Sequence, residues 1–283
     1  MMTEQNFVNF PLTFEKYQIQ CQAAYSEAGN GKPLLMLHGF FGSESCWQPL
    51  KAQIKDNYRC ISLDLLGFGK SAKPEFSHFV AAQIAFVNGF LEKLAIDECY
   101  IVGHSFGAWV ASKYALNFPD RVNGLILVGP AGIRDEKFRG RYFLLRPLLW
   151  ETPLVDWGLN LATPIAAIFN NKKAIETIKG YRYQLTNQPV ARSMLINRLQ
   201  GIRGAETVET EIHKLNMPAL VIAGEWDETI PMWHSETYAR EIPNAKLEII
   251  PGADHALPQG YPQEIATSIL NFFPCDRISH KNN

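Results

Sequence analysis

Short, nearly unbroken apolar runs alternate with stretches of helical periodicity along most of this chain. The runs are PLLMLHG (33–39), CISLDLL (60–66), ECYIVGHS (98–105), GLILVGP (124–130), MPALVIAG (217–224) and KLEIIPG (246–252). Runs of this length without a polar face, most of them closed by glycine, are what strands look like when both faces are covered in a parallel sheet. Between them, residues 45–56, 79–96, 108–118, 232–241 and 262–273 carry apolar positions at helical spacing. Residues 14–25 alternate loosely and predict an edge strand, followed by a turn at Gly29, Asn30, Gly31 and Pro33. The alternation predicts an α/β fold: a mostly parallel central sheet with helices on both faces.

The rhythm stops near residue 131. Residues 131–216 contain helical stretches but no convincing buried strand, so they read as a helical cap or lid inserted into one α/β core made of residues 1–130 and 217–283. Composition adds little until it is divided at these boundaries. The 283 residues carry 27 Lys and Arg against 28 Asp and Glu, which leaves no electrostatic footprint for nucleic acid. The insertion, however, holds thirteen Lys and Arg against eight Asp and Glu, so a cap of charge +5 accompanies a core of −6. The five cysteines (Cys21, Cys46, Cys60, Cys99, Cys275) are scattered, with no spacing suited to a zinc site or a disulfide framework, and fit a reducing compartment. The amino-terminal residues lack a basic start and an apolar core of signal-peptide type, and no run reaches the roughly 20 apolar residues of a membrane span. The expectation is a soluble, cytoplasmic protein, monomeric or homodimeric.

Candidate chemistry gathers at the ends of the apolar runs. Gly103-His104-Ser105-Phe106-Gly107 matches G-x-S-x-G between a strand and a helix, where a sharp turn lifts a serine above the sheet and the helix start offers free N–H groups to a developing oxyanion. The flanking Gly103 and Gly107 leave room for the backbone to fold back. Serine needs a base, and the base an orienting carboxylate. His255 follows the last run and Asp227 follows LVIAG, so both emerge at the carboxyl edge of the sheet with Ser105, in the chain order Ser, Asp, His. Asp254, beside His255, is an alternative acid, and Glu225, Glu228 and Asp135 are weaker rivals. Of the other histidines, His104 reads as structural or pocket-lining and His38 as packed and hydrogen-bonded. His78, His213, His234 and His280 lie in polar or peripheral contexts. Asp64 reads as the holder of the turn that follows it.

Taken together, His38-Gly39-Phe40-Phe41-Gly42 with Trp47, Asp64-x-x-Gly67-x-Gly69-x-Ser71, Gly103 to Gly107, Gly224-x-x-Asp227-x-x-x-Pro231 and Gly252-Ala253-Asp254-His255 resemble the α/β-hydrolase superfamily, in its branch with a single helical cap. The resemblance spans about residues 12–273 and is weakest over 131–215. It implies Ser105 as nucleophile, His255 as general base, Asp227 as orienting acid, and the backbone N–H groups of Phe40 and Phe106 as oxyanion hole. No metal or organic cofactor is implied. Relatives that resemble epoxide hydrolases and haloalkane dehalogenases carry aspartate at the nucleophile position, so Ser105 argues against an alkyl-enzyme ester and for acyl transfer.

The substrate expected from this reading is a small hydrophobic acyl compound, first of all a carboxylic ester, because a capped pocket of this kind is largely apolar. Three alternatives stay open: a hydrolase of C–C bonds, an enzyme like prolyl aminopeptidases, and a hydrolase-fold ligand receptor with vestigial turnover. The positive cap speaks against the aminopeptidase, which needs acidic groups there to hold an amine. Residues 134–150 mix five basic residues with four aromatics and several leucines, a composition able to make peripheral contact with an anionic membrane or to form an ordinary lid helix.

Overall fold

The structure, a computed structural model, describes residues 4–75, 80–135, 143–168, 171–188, five further positions between 190 and 196, and 206–274. Two compact units result, one of residues 1–72, 80–134 and 206–283, the other of residues 73–79 and 135–205.

The first unit is built on one eight-stranded sheet: β1 (Gln5–Phe14), β2 (Tyr17–Ala28), β3 (Lys32–Leu37), β4 (Tyr58–Leu63), β5 (Cys99–His104), β6 (Val122–Val128), β7 (Ala219–Gly224) and β8 (Ala245–Ile250), in the order β1-β2-β4-β3-β5-β6-β7-β8. Strands β3 to β8 pair in parallel, whereas β2 runs antiparallel to β4 and to β1. The continuous apolar runs explain the arrangement, because every residue of β7 and the last four of β3 and β5 are buried. Leu34 and Met36 of β3 face a cluster with Trp47, Leu50 and Ile54 around α1 (Gln48–Ile54) and Ile265 and Ile269 of the carboxyl-terminal helix Pro262–Phe272. Leu35 and Leu37 point to the opposite side, as the strand period requires. That side is covered by α2 (Val80–Lys93), α3 (Phe106–Asn117) and the helix Met232–Glu241.

The amino-terminal edge differs from the single strand expected over 14–25. It is a hairpin in which β1 and β2 pair from Gln5↔Ser26 to Phe14↔Tyr17. Its two-residue turn places Glu15 at φ 51°, the left-handed conformation that hairpin turns of this length demand and that Gly, Asn or Asp normally signal.

Residues 206–216, which the sequence pattern groups with the insertion, pack with the first unit. The Glu206 carboxylate accepts the N–H groups of Val80 (3.0 Å) and Ala81 (3.3 Å) at the start of α2. Its carbonyl accepts the Trp109 indole N–H at 3.0 Å, and Lys113 pairs with Glu211 at 2.5 Å.

In the second unit, α4 (Pro153–Ile168) and α5 (Lys172–Asn187) are joined through a buried cation. Arg182 of α5 donates to both carboxylate oxygens of Asp156 on α4 (3.1 and 3.0 Å) and to the carbonyls of Leu148, Trp150 and Thr152. One planar guanidinium thus gathers the chain that enters α4. Residues 136–142 of the 134–150 segment lie outside the described set.

Candidate active site

The site is assembled by three parallel strands at their carboxyl ends. Strand β5 ends at His104, and Ser105 then sits at φ 52°, ψ −112° as the N-cap of α3. A non-glycine residue at positive φ is strained, and such strain persists only where surrounding bonds over-determine it. Here the Ser105 N–H donates to the Val128 carbonyl (2.9 Å), while the Ser105 carbonyl accepts from Ala131 (3.1 Å) and Ala108 (3.1 Å). The serine is locked on both sides and its hydroxyl rides above the sheet.

The two elbow glycines are required for different reasons. A Cβ at Gly103 would lie 2.4 Å from the Gly107 carbonyl oxygen, across the fold of the turn itself. A Cβ at Gly107 would instead lie 2.1 Å from the Leu37 carbonyl oxygen, at the end of the neighbouring strand β3, and 2.6 Å from that of His38 just beyond it. Gly107 is therefore a packing glycine that brings α3 against the sheet. Only the first of these reasons is visible in the local sequence.

His255 and Asp227 arrive from the loops after β8 and β7. The Ser105 Oγ lies 2.9 Å from His255 Nε2, and His255 Nδ1 lies 2.7 Å from Asp227 Oδ2. The other carboxylate oxygen, Oδ1, accepts the backbone N–H groups of Thr229 and Ile230, both at 2.9 Å. Two fixed donors on one side and the imidazole on the other leave Asp227 a single orientation. Gly129 (φ 50°) backs the pair, since a Cβ there would come within 3.4 Å of Asp227 Oδ2 and 3.5 Å of His255 Nδ1. Asp254, the alternative acid, turns away: its Oδ1 accepts the Ala256 N–H at 2.9 Å in a local turn. Glu225 is spent on the Gly252 N–H (2.8 Å), and Glu228 is exposed.

The oxyanion candidates Phe40 and Phe106 lie side by side. Their rings meet edge to face at 5.7 Å, and Gly39 approaches the elbow so closely that a Cβ there would be 3.3 Å from Ser105 Cβ. Phe106 is the first residue of α3, so its N–H has no partner within the helix and sits at the positive end of the helix dipole. Phe68 closes against both rings, at 5.6 Å from Phe40 and 6.1 Å from Phe106, and Trp109 stands at 6.1 Å from Phe106. The wall beside the serine is aromatic and uncharged.

The remaining sequence candidates take supporting positions. His38 is fully buried; its Nδ1–H donates to Gly39 O (2.7 Å) and its Nε2 accepts the Leu65 N–H (3.0 Å), which ties the loop after β3 to the turn after β4. Burial holds this imidazole below its usual pKa, hence neutral. Asp64 holds its turn as expected, taking the N–H groups of Lys70 (2.9 Å) and Glu44 (2.6 Å). His234 departs from the peripheral place expected of it, being 2% exposed on the helix Met232–Glu241 with its ring 4.0 Å from that of Trp233. His213 is exposed, whereas His78 and His280 fall outside the described residues. Cys21, Cys46, Cys60 and Cys99 are free, and burial raises each thiol, to about 11 for Cys21 and about 12 for Cys60 and Cys99, so none is a reactive thiolate.

The contact that the sequence did not foretell is made by His104. Its Nε2–H donates to the His255 carbonyl at 2.8 Å, and the two rings lie 4.8 Å apart. Burial, reinforced by the neighbouring His255, pushes the His104 pKa down to about 3, so this brace stays neutral near pH 7 and keeps its geometry there.

A strained serine at a strand-to-helix turn, an imidazole within hydrogen-bond reach and a carboxylate fixed behind it thus come together at the carboxyl edge of a parallel α/β sheet. The chain belongs to the alpha/beta hydrolase fold family, whose model matches residues 32–258. It is 27% identical over 259 residues to a 2-hydroxy-6-oxo-6-(2'-aminophenyl)hexa-2,4-dienoic acid hydrolase of Metapseudomonas resinovorans, covering 89% of this chain and 87% of that one. It is 29% identical to a 2-hydroxymuconate semialdehyde hydrolase of Pseudomonas putida, over 87% and 88% of the two chains. Among solved structures, a thermophilic esterase from Thermogutta terrifontis shares the fold, with a TM-score of 0.72, 24% identity, and 93% and 97% of the chains covered. Among the described residues, no helix is long and apolar enough to cross a membrane.

Proposed function

We propose that this protein is a serine hydrolase that cleaves a hydrophobic carboxylic ester through an acyl-enzyme on Ser105. The observation that carries this reading is the relay from Ser105 Oγ to His255 Nε2 (2.9 Å) and from His255 Nδ1 to Asp227 Oδ2 (2.7 Å). His255 takes the serine proton as Oγ attacks the carbonyl carbon, and the N–H groups of Phe40 and Phe106 receive the oxyanion. Collapse of the tetrahedral species expels the alcohol, to which His255 returns the proton. Water, activated by the same imidazole, then releases the acid and regenerates the serine. Asp227 keeps Nδ1 protonated and stabilises the imidazolium. The aromatic side chains beside the serine favour an apolar acyl group, because a charged one would be desolvated there without a partner.

A second reading, hydrolysis of a C–C bond beside a carbonyl, is favoured by the names of the two relatives, both of which are hydrolases of oxo-dienoic or semialdehyde compounds. The test is a panel of p-nitrophenyl esters of increasing chain length run beside a 2-hydroxy-6-oxo-dienoate. Sustained ester turnover whose kcat/KM rises with acyl length is expected. Dienoate cleavage that greatly exceeds ester cleavage would replace the ester reading with the C–C one, and a few slow turnovers on both would point to a receptor.

A further inference from the structure

Helix α4 carries more apolar surface than its own unit can use. Val155, Leu159, Ala162 and Ala166 recur at helical spacing and are half-buried, which gives the helix one packed face. Leu154, Trp157, Leu161, Ile165 and Ile168 form a second stripe and are 65, 61, 73, 57 and 80% exposed. At 100° per residue the five fall within an arc of about 80°, and at 1.5 Å per residue they run for about 21 Å. Asp156, the only charged residue of α4, lies well away from this arc and is held by Arg182 of α5, so the stripe faces away from α5. Trp150, 60% exposed, stands just before the helix.

A helix that is apolar on two sides is ordinarily buried, and an exposed apolar stripe of this size marks a surface that something covers. Charge indicates what. Lys172 and Lys173 open α5, four and five residues past the end of α4, and are exposed, Lys172 within 3.6 Å of Glu176, and residues 131–216 as a whole carry thirteen cations against eight anions. A second copy of the same chain would bring the same positive charge to the contact. A surface of anionic phospholipid would complement it, and exposed tryptophans beside an apolar stripe suit the interface of a bilayer, where an apolar face is buried next to charged headgroups.

We infer that the α4 stripe is a membrane-docking face that lies in the interface of an anionic bilayer, with Trp157, Leu161 and Ile165 inserted and Lys172 and Lys173 against the headgroups. The inference uses none of the residues placed in the active site, and its test uses no catalytic readout, so its failure leaves the hydrolase reading untouched.

The test is flotation of the full chain with vesicles of phosphatidylcholine alone and of phosphatidylcholine mixed with phosphatidylglycerol. The protein is expected to float with the mixed vesicles and weakly with the neutral ones. Leu161→Glu combined with Ile165→Glu should lower the bound fraction about fivefold or more, with circular dichroism and Tm unchanged, because binding scales with the apolar area inserted. Lys172→Glu with Lys173→Glu should abolish the preference for the anionic vesicles. Should the double glutamate variant not fold, Leu161→Cys labelled with an environment-sensitive fluorophore replaces it, and a blue shift on adding mixed vesicles is expected. No flotation of the parent chain, equal flotation of parent and double variant, or no shift of the label would overturn the inference. So would a dimer, seen by light scattering, that the double glutamate variant dissolves in the absence of any vesicle binding.

Discussion

Replacing Asp227 by Asn changes one atom, and the surroundings of that atom decide the outcome. An asparagine in this place can present its oxygen or its nitrogen to His255. Thr229 and Ile230 both donate backbone N–H groups to the Oδ1 position at 2.9 Å, so the amide oxygen must occupy it. The amide NH2 is then forced to face His255 Nδ1 across the 2.7 Å contact. Two donors cannot share that line, so the imidazole must adopt the tautomer with hydrogen on Nε2, which is the atom 2.9 Å from Ser105 Oγ. In that state His255 cannot accept the serine proton, and the imidazolium loses its counter-charge. The expected loss in kcat/KM is about 10³- to 10⁴-fold, or roughly 4–5.5 kcal/mol of transition-state stabilisation. Asp254→Asn, whose side chain serves only a turn with Ala256, should change kcat/KM less than about twofold by the same physics. Steady-state kinetics on the best ester of the panel, with thermal melts to confirm folding, decide the matter. Retention by Asp227→Asn of more than about a tenth of parental kcat/KM, or an equal loss in Asp254→Asn, would refute the reasoning.

Three further outcomes follow from the elbow and its brace. Gly107→Ala places a Cβ 2.1 Å from the Leu37 carbonyl oxygen, and should destabilise the protein by about 3 kcal/mol or more in urea unfolding; a loss below about 1 kcal/mol would contradict the packing described. Ser105→Gly removes the nucleophile and also the cost of a side chain at φ 52°, so Tm should be equal to or above that of the parent while turnover vanishes; a clearly lower Tm would show that the position is unstrained. His104 has a pKa of about 3 when folded against 6.5 for an ordinary imidazole, so the unfolded chain takes up its proton first as pH falls. Its neutral-state stabilisation is intact above about pH 6.5 and is lost progressively toward about pH 3, at up to roughly 1.4 kcal/mol per pH unit. His104→Asn should reduce the slope of unfolding free energy against pH by about that amount between roughly pH 4 and 6, leaving the share due to His38, and an unchanged slope would remove His104 from this role.

Much of the site is legible in the chain because parallel sheets enforce it. Residues that follow buried strands emerge at one edge, so Ser105, Asp227 and His255, each just beyond an apolar run, converge without any need to know their contacts. What separates Asp227 from Asp254 is not local: it depends on which loop meets the imidazole, and the answer lies in the N–H groups of Thr229 and Ile230. His104 reads as structural or pocket-lining from sequence, but the partner it braces escapes that reading for the same reason, since the carbonyl is 151 residues away. The hairpin at the amino terminus was hidden because Glu15 stands where a glycine or asparagine would have announced a turn. His234 looked peripheral among polar neighbours because ten residues of helix give no hint of which side is packed. The second stripe of α4 could not be read from periodicity, because two apolar faces on one helix blur into general hydrophobicity until exposure distinguishes them.

The central claim is that Ser105 carries the acyl group. Incubation with a fluorophosphonate followed by peptide mass spectrometry tests it most directly, because the reagent modifies a serine only where a base and an oxyanion site activate it. The account predicts stoichiometric modification of Ser105, prevented by prior heat denaturation and absent in Ser105→Ala, with ester turnover lost in parallel. A folded Ser105→Ala variant that still turns over ester, or labelling of a different residue, would contradict it.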